Sequence, residues 1–132
     1  MPINFSGTWT ANLAKSTFRT TAPTAMIARI KHEEPELDEE IVVTQSNGAE
    51  SRAVLRCRTD GDQTKTRLNS NPLRGGARWE GQQLVVETWL QLGSREMYLC
   101  DRWSLSPDGQ TLTMEHRDDD LAGQCTVFDR ME

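Results

Sequence analysis

Apolar side chains recur at every second position through most of this sequence, and that period limits what the chain can fold into. In the run from Leu84 to Leu90, Leu84, Val86 and Leu90 share one face. Between Arg95 and Leu105, Met97, Leu99, Trp103 and Leu105 lie on one side, against Glu96, Tyr98, Cys100, Arg102 and Ser104. Thr111 to His116 alternates as well. So does Ser51 to Thr59, where Ala53, Leu55 and Cys57 oppose Arg52, Arg56 and Arg58. Strict alternation marks strands buried on one face and wet on the other. Parallel strands covered on both sides would read as unbroken apolar runs instead.

The breaks between these runs predict how the strands connect. Ser106-Pro107-Asp108-Gly109 is a turn, with Pro107 presetting φ and Gly109 tolerating positive φ. Ser46-Asn47-Gly48, Glu80-Gly81 and Leu92-Gly93 mark further reversals. Connections this short hold no crossover helix, so successive strands pair antiparallel as a meander. Residues 24–34, between Pro23 and Pro35, read either as a short helix capped by Thr24 or as a strand with Met26, Ala28, Ile30 and His32 inward. The strand is preferred because the first strand needs a partner. Residues 11–23 and 33–38 read as loops. With no internal repeat or linker, residues 1–132 form one expected domain. About eight to ten such strands bury their apolar faces by closing into a barrel or collapsing into a sandwich, and a barrel has room inside for side chains or one small ligand. The expected fold is therefore all-β, an antiparallel meander closed into a barrel.

Composition narrows the partners. A net charge of −5 and no run of Lys or Arg argue against nucleic acid. No apolar run reaches the ~18 residues of a membrane span. The beginning MPINFSGTW lacks the basic and apolar regions of a signal peptide. The expected location is thus cytoplasmic, or periplasmic if an export signal was trimmed. Cys57, Cys100 and Cys125 cannot all pair and lack metal spacing, so they read as buried free thiols. With two His in the chain and no further ligands, no zinc site is expected. Glu33, Glu34, Glu36, Asp38, Glu39 and Glu40 form an acidic run that reads as a solvated loop, with a calcium site the weaker alternative because EF-hand spacing is absent.

The opening Phe5-Ser6-Gly7-Thr8-Trp9 resembles the Gly-x-Trp motif of the calycins, the superfamily of lipocalins and fatty-acid-binding proteins. The closing Val127-Phe128-Asp129-Arg130 resembles the end of the last strand in fatty-acid-binding proteins. The resemblance implies that Trp9 closes the barrel floor and that Arg130 lies across it, where a guanidinium stacked on indole gains cation–π energy. Asn4–Phe18, His32-Glu33-Glu34-Pro35, Arg78–Leu84 and Asp101–Gly109 are similar to a bacterial lipocalin-like family, many members of which carry export signals. One departure stands out. Where fatty-acid-binding proteins hold the lipid carboxylate with an Arg-x-Tyr pair, this chain has Thr126 and Phe128. The conventional clamp is therefore missing. Haem barrels of the nitrobindin type need a His from a late strand, and the final strand has none; only His116 is nearby. No cofactor is expected.

Alternation carries polar residues inward with the apolar ones: Asp101 beside Leu99 and Trp103, His116 beside Leu112 and Met114, and His32 beside Ile30. Asp101 lies five residues before Ser106 and His116 seven after Gly109, so they are expected as diagonal neighbours at best. They either orient a polar ligand or form an acid–base pair. The structural alternative pairs Asp101 with an internal Arg or backbone and leaves His116 in water at the mouth. Expected ligand-binding residues are Met97, Leu99, Asp101, Trp103, Met114, His116, Thr126 and Phe128, with Trp103 either pocket or core. Trp79 and Trp89 are expected near strand ends, lining a portal or covering a barrel end. The expected function is a binding protein for a small hydrophobic molecule. The rival expectations are a small isomerase, lyase or hydrolase using Asp101 and His116, and a filled barrel acting through its surface.

Overall fold

A computed structural model describes residues 3–18, 22–68, 71–116 and 124–131. They form β1 (Gly7–Ala11), β2 (Ala25–Glu33), β3 (Glu36–Thr44), β4 (Glu50–Arg58), β5 (Thr64–Leu68), β6 (Asn71–Glu80), β7 (Gln83–Leu92), β8 (Arg95–Leu105), β9 (Thr111–His116) and β10 (Cys125–Arg130). The strands make one antiparallel sheet in the order β4-β3-β2-β1-β10-β9-β8-β7-β6-β5. Its two ends, β4 and β5, lie side by side without a ladder between them, and β4 also approaches β6. The sheet is thus a nearly closed barrel, as the alternation requires. Among the described residues no helix is long and apolar enough to cross a membrane.

Residues 24–34 adopt the strand alternative, pairing with β1 on one side and β3 on the other. The loop expected at 11–23 starts one residue later, since β1 runs on to Ala11, and its residues 19–21 lie outside the described residues. The loop expected at 33–38 is corrected: the segment is a tight hairpin turning at Glu34-Pro35, whose peptide is cis. The acidic residues after the turn belong to β3, where the period of two sends Leu37 and Glu39 inward and Asp38 and Glu40 outward. The solvated-loop reading of the acidic run therefore fails at Glu39.

Arg52, Arg56 and Arg58 take the wet face of β4, near Glu40, Asp38 and Asp60 respectively. Trp89 departs from its expected place. It lies on the outer face of β7, between Tyr98 and the guanidinium of Arg74, which sits 4.6 Å from its ring centre.

One end of the barrel is filled. Phe5, Trp9, Leu84, Trp103, Leu112 and Phe128 are fully buried there, and Phe5 meets the edge of Trp103 at 5.5 Å between ring centres. Each such side chain contributes about 1.5–3 kcal/mol through loss of apolar surface to water. Arg130 pairs with Trp9 in the β1–β10 register, and its guanidinium lies 4.3 Å from the centre of the Trp9 ring. It donates to the carbonyls of Ser6 and Gly109.

A polar network seals the same end. The backbone N–H of Phe5 donates to His32 Nδ1, which leaves Nε2 to donate to Glu34 Oε1 at 2.9 Å. Glu34 also accepts from the indole N–H of Trp79 and from the Thr59 hydroxyl. Its carboxyl is held below the usual carboxylate range; burial works the other way, and the donors from Thr59, His32 and Trp79 outweigh it. Trp79 thus covers the closed barrel end.

Candidate functional site: a chamber in the upper barrel

Above the packed floor the barrel interior opens into a chamber of about 170 Å³. Its apolar wall includes Ile41 from β3, Leu55 from β4, Leu73 from β6, Leu90 from β7 and Leu99 from β8. Each faces inward because its strand alternates, and the cross-strand register stacks these residues at one level: Leu73 opposite Leu90, and Thr88 opposite Leu99. Ala53 of β4 also borders the chamber, and Gly75 of β6, on the same face as Leu73, lies under Leu55.

Three ionisable side chains enter this apolar space: Glu39, Asp101 and His116. Asp101 and His116 are directly opposed in the β8–β9 ladder, and His116 Nδ1 contacts Asp101 Oδ1. They are not the diagonal neighbours expected from the turn. Ser106 N–H donates to Thr111 O, so the loop is the four residues Pro107–Gln110 and each partner stands five residues from its own end of the hairpin. Glu39 projects from β3, between Ile30 of β2 and Leu55 of β4. It is 7% exposed, and its Oε2 has no hydrogen-bond partner among the described residues. Burial, reinforced by the negative charge of Asp101, pushes the Glu39 carboxyl up to about 8. A carboxyl in this state holds its proton at neutral pH and gives it up when a cation arrives.

The expected ligand-binding residues divide between chamber and floor. Leu99, Asp101 and His116 line the chamber. Trp103, Met114, Thr126 and Phe128 are buried in the packed half, and the indole N–H of Trp103 has no acceptor among the described residues. Met97 is partly buried opposite Leu90. Sequence reasoning missed Glu39, Ile41, Leu55, Leu73, Thr88 and Leu90 as chamber residues. The signal for Glu39 was present, since it stands two residues from both Leu37 and Ile41, but the surrounding acidic run masked it.

No cysteine is among the described residues that line the chamber. Cys57 is buried beside Leu37, and desolvation with the charges of Glu39 and Asp38 pushes its thiol up to about 12. Cys100 and Cys125 are partly buried, and all three thiols are free. Among the described residues, no group of three or more His, Cys, Asp or Glu is placed to hold a metal ion.

No protein-family model matches the chain, and no curated protein matches its sequence. Its architecture is similar to a solved structure described as a REP1-NXSQ fatty acid transporter, with a TM-score of 0.60 and 10% sequence identity over 96% of both chains. At that identity the likeness concerns the fold, a calycin-like β-barrel.

Proposed function

We propose that this protein is a small-molecule carrier or sensor that holds a compact hydrophobic ligand in the upper chamber. The observation that carries this reading is the division of the barrel interior. One half is packed with aromatic side chains, while the other keeps an apolar cavity with a few convergent polar groups, the usual composition of a ligand site. A long-chain fatty acid, the cargo named for the structural neighbour, suits this interior poorly. The chamber of about 170 Å³ is below the roughly 300–1,000 Å³ of sites for larger ligands, and among the described residues no Lys or Arg lines it to receive a carboxylate. Thr126 and Phe128, at the positions of the fatty-acid clamp, are locked into the floor.

The test is thermal unfolding with a panel of small aromatic and branched aliphatic compounds, alongside native mass spectrometry of protein from its own host. A ligand at a hundredfold excess over Kd raises stability by about 2.7 kcal/mol. Absence of any shift, together with absence of a co-purified molecule, would remove the binding reading.

A second reading is supported by the Asp101–His116 contact. A carboxylate that orients an imidazole facing an apolar chamber is the arrangement of a general base, fitting an isomerase, lyase or hydrolase acting on a small hydrophobic substrate. Turnover of candidate substrates lost in His116→Gln, with binding retained, separates this reading from simple carriage.

A further inference from the structure

Resting on the chamber as a binding site, we infer that its occupant is a small primary amine: a protonated amino group on a compact apolar body, held between Glu39 and Asp101. The inference begins with an imbalance of hydrogen-bonding groups. Two carboxyl groups and one imidazole enter the chamber, and among the described residues neither Lys nor Arg lines it. Asp101 and His116 meet each other. Glu39 stands apart from that pair, more than nine-tenths buried, with Oε2 unpartnered among the described residues. Leaving a buried polar atom unpaired is costly, and a ligand that donates a hydrogen bond removes the penalty. An ammonium group does this and supplies the charge that lets Glu39 ionise beside Asp101. A ligand carboxylate would instead meet two acidic groups. The apolar body is bounded by volume: an engineered cavity of about 150 Å³ accommodates benzene, so a single ring or short branched chain fills this one.

Ionisation of Glu39 on binding links affinity to pH. The titratable groups facing the Glu39 carboxyl are Asp101 on β8, His116 on β9 and the Cys57 thiol on β4. The carboxyl of Glu39 must lose its proton to pair with an ammonium, so amine affinity rises as pH approaches about 8, by up to roughly tenfold per unit. Replacing Glu39 isolates its own share of the slope.

Three probes of similar shape test the inference by calorimetry or NMR titration: benzylamine, toluene and benzoate. The expected order places benzylamine about tenfold or more tighter than toluene, with benzoate weakest. Glu39→Gln and Asp101→Asn, each checked for a native fold by circular dichroism, should abolish most of that advantage and leave toluene binding in place. In the unmodified protein, benzylamine affinity should climb between about pH 6 and 8 while toluene stays level. Equal affinity for toluene and benzylamine, preference for benzoate, or a flat pH profile for benzylamine overturns the amine assignment and leaves the chamber as a binding site. Failure of all three probes to bind overturns the amine assignment and the chamber reading together.

Discussion

Leu55 of β4 rests directly over Gly75 of β6, so that a Cβ placed on Gly75 would stand 2.9 Å from Leu55 Cδ1. The contact spans the place where the barrel lacks a ladder, and it occurs at the chamber wall. A glycine within a strand often marks such a close approach. Gly75→Ala should therefore shift the Leu55 side chain, and Gly75→Val should push it into the chamber, costing about 1–3 kcal/mol through overpacking. Urea denaturation measures the loss. Leu55→Ala combined with Gly75→Val should recover part of it, because the clash lies between those two side chains. Simple additivity of the two substitutions would show that Leu55 is not what limits residue 75.

The buried carboxyl of Glu39 should make stability fall as pH rises. Its folded-state pKa is raised to about 8, while in the unfolded chain it titrates near 4.5. Between those values the folded protein binds the additional proton, so unfolding free energy decreases with pH across this window and levels off above it. The effect is a few kcal/mol at most. Equilibrium unfolding at about pH 5, 6.5 and 8 checks the sign. Glu39→Gln should flatten this component of the profile and, at about pH 8, be more stable than the unmodified protein. A similar slope in Glu39→Gln would assign the titration to another group.

His32 should be far more important to stability than an ordinary strand residue. It is 2% exposed, accepts the Phe5 N–H and donates to Glu34, while Phe5 and Trp79 lie near its ring. His32→Leu retains apolar volume but leaves the Phe5 N–H without its acceptor, a loss of about 1–3 kcal/mol. The expected signature is a lowered denaturant midpoint with little change in the near-ultraviolet spectrum of Trp9 and Trp103. Glu34→Gln, which keeps an acceptor for Trp79, should cost less than His32→Leu.

The barrel was legible from alternation because a period of two is a local property that each strand carries for itself. The same period assigned Met97, Leu99, Asp101 and Trp103 to one face of β8. It could not reveal which inward residues meet a cavity. Leu99 and Trp103 share that face, yet Leu99 borders the chamber and Trp103 is packed against Phe5; their difference comes from the strands opposite. Glu39 was hidden for a different reason. Its neighbours in sequence are acids that face water, and only the β3 register separates it from Asp38 and Glu40. The Asp101–His116 pairing turned on whether the second strand starts at Gly109 or two residues later at Thr111, which the Pro107–Gly109 signature leaves open.

The Gly-x-Trp opening has a physical basis that can be tested. Gly7 has φ of 143°, and a Cβ there would lie 2.5 Å from Arg130 Nη1, so the glycine leaves room for the guanidinium across Trp9. Gly7→Ala should thus act on Arg130 as well as on its own backbone. It should destabilise the barrel by more than the roughly 1 kcal/mol of an ordinary change in strand propensity. Arg130→Lys retains the charge but loses the planar fork that reaches the Ser6 and Gly109 carbonyls, so about 1–2 kcal/mol should be lost. In the Arg130→Lys background, Gly7→Ala should cost less than in the unmodified protein, because the flexible ammonium can withdraw from the added methyl. Unfolding free energies of the single and double variants read this coupling, and its absence would mean that the glycine serves β1 alone.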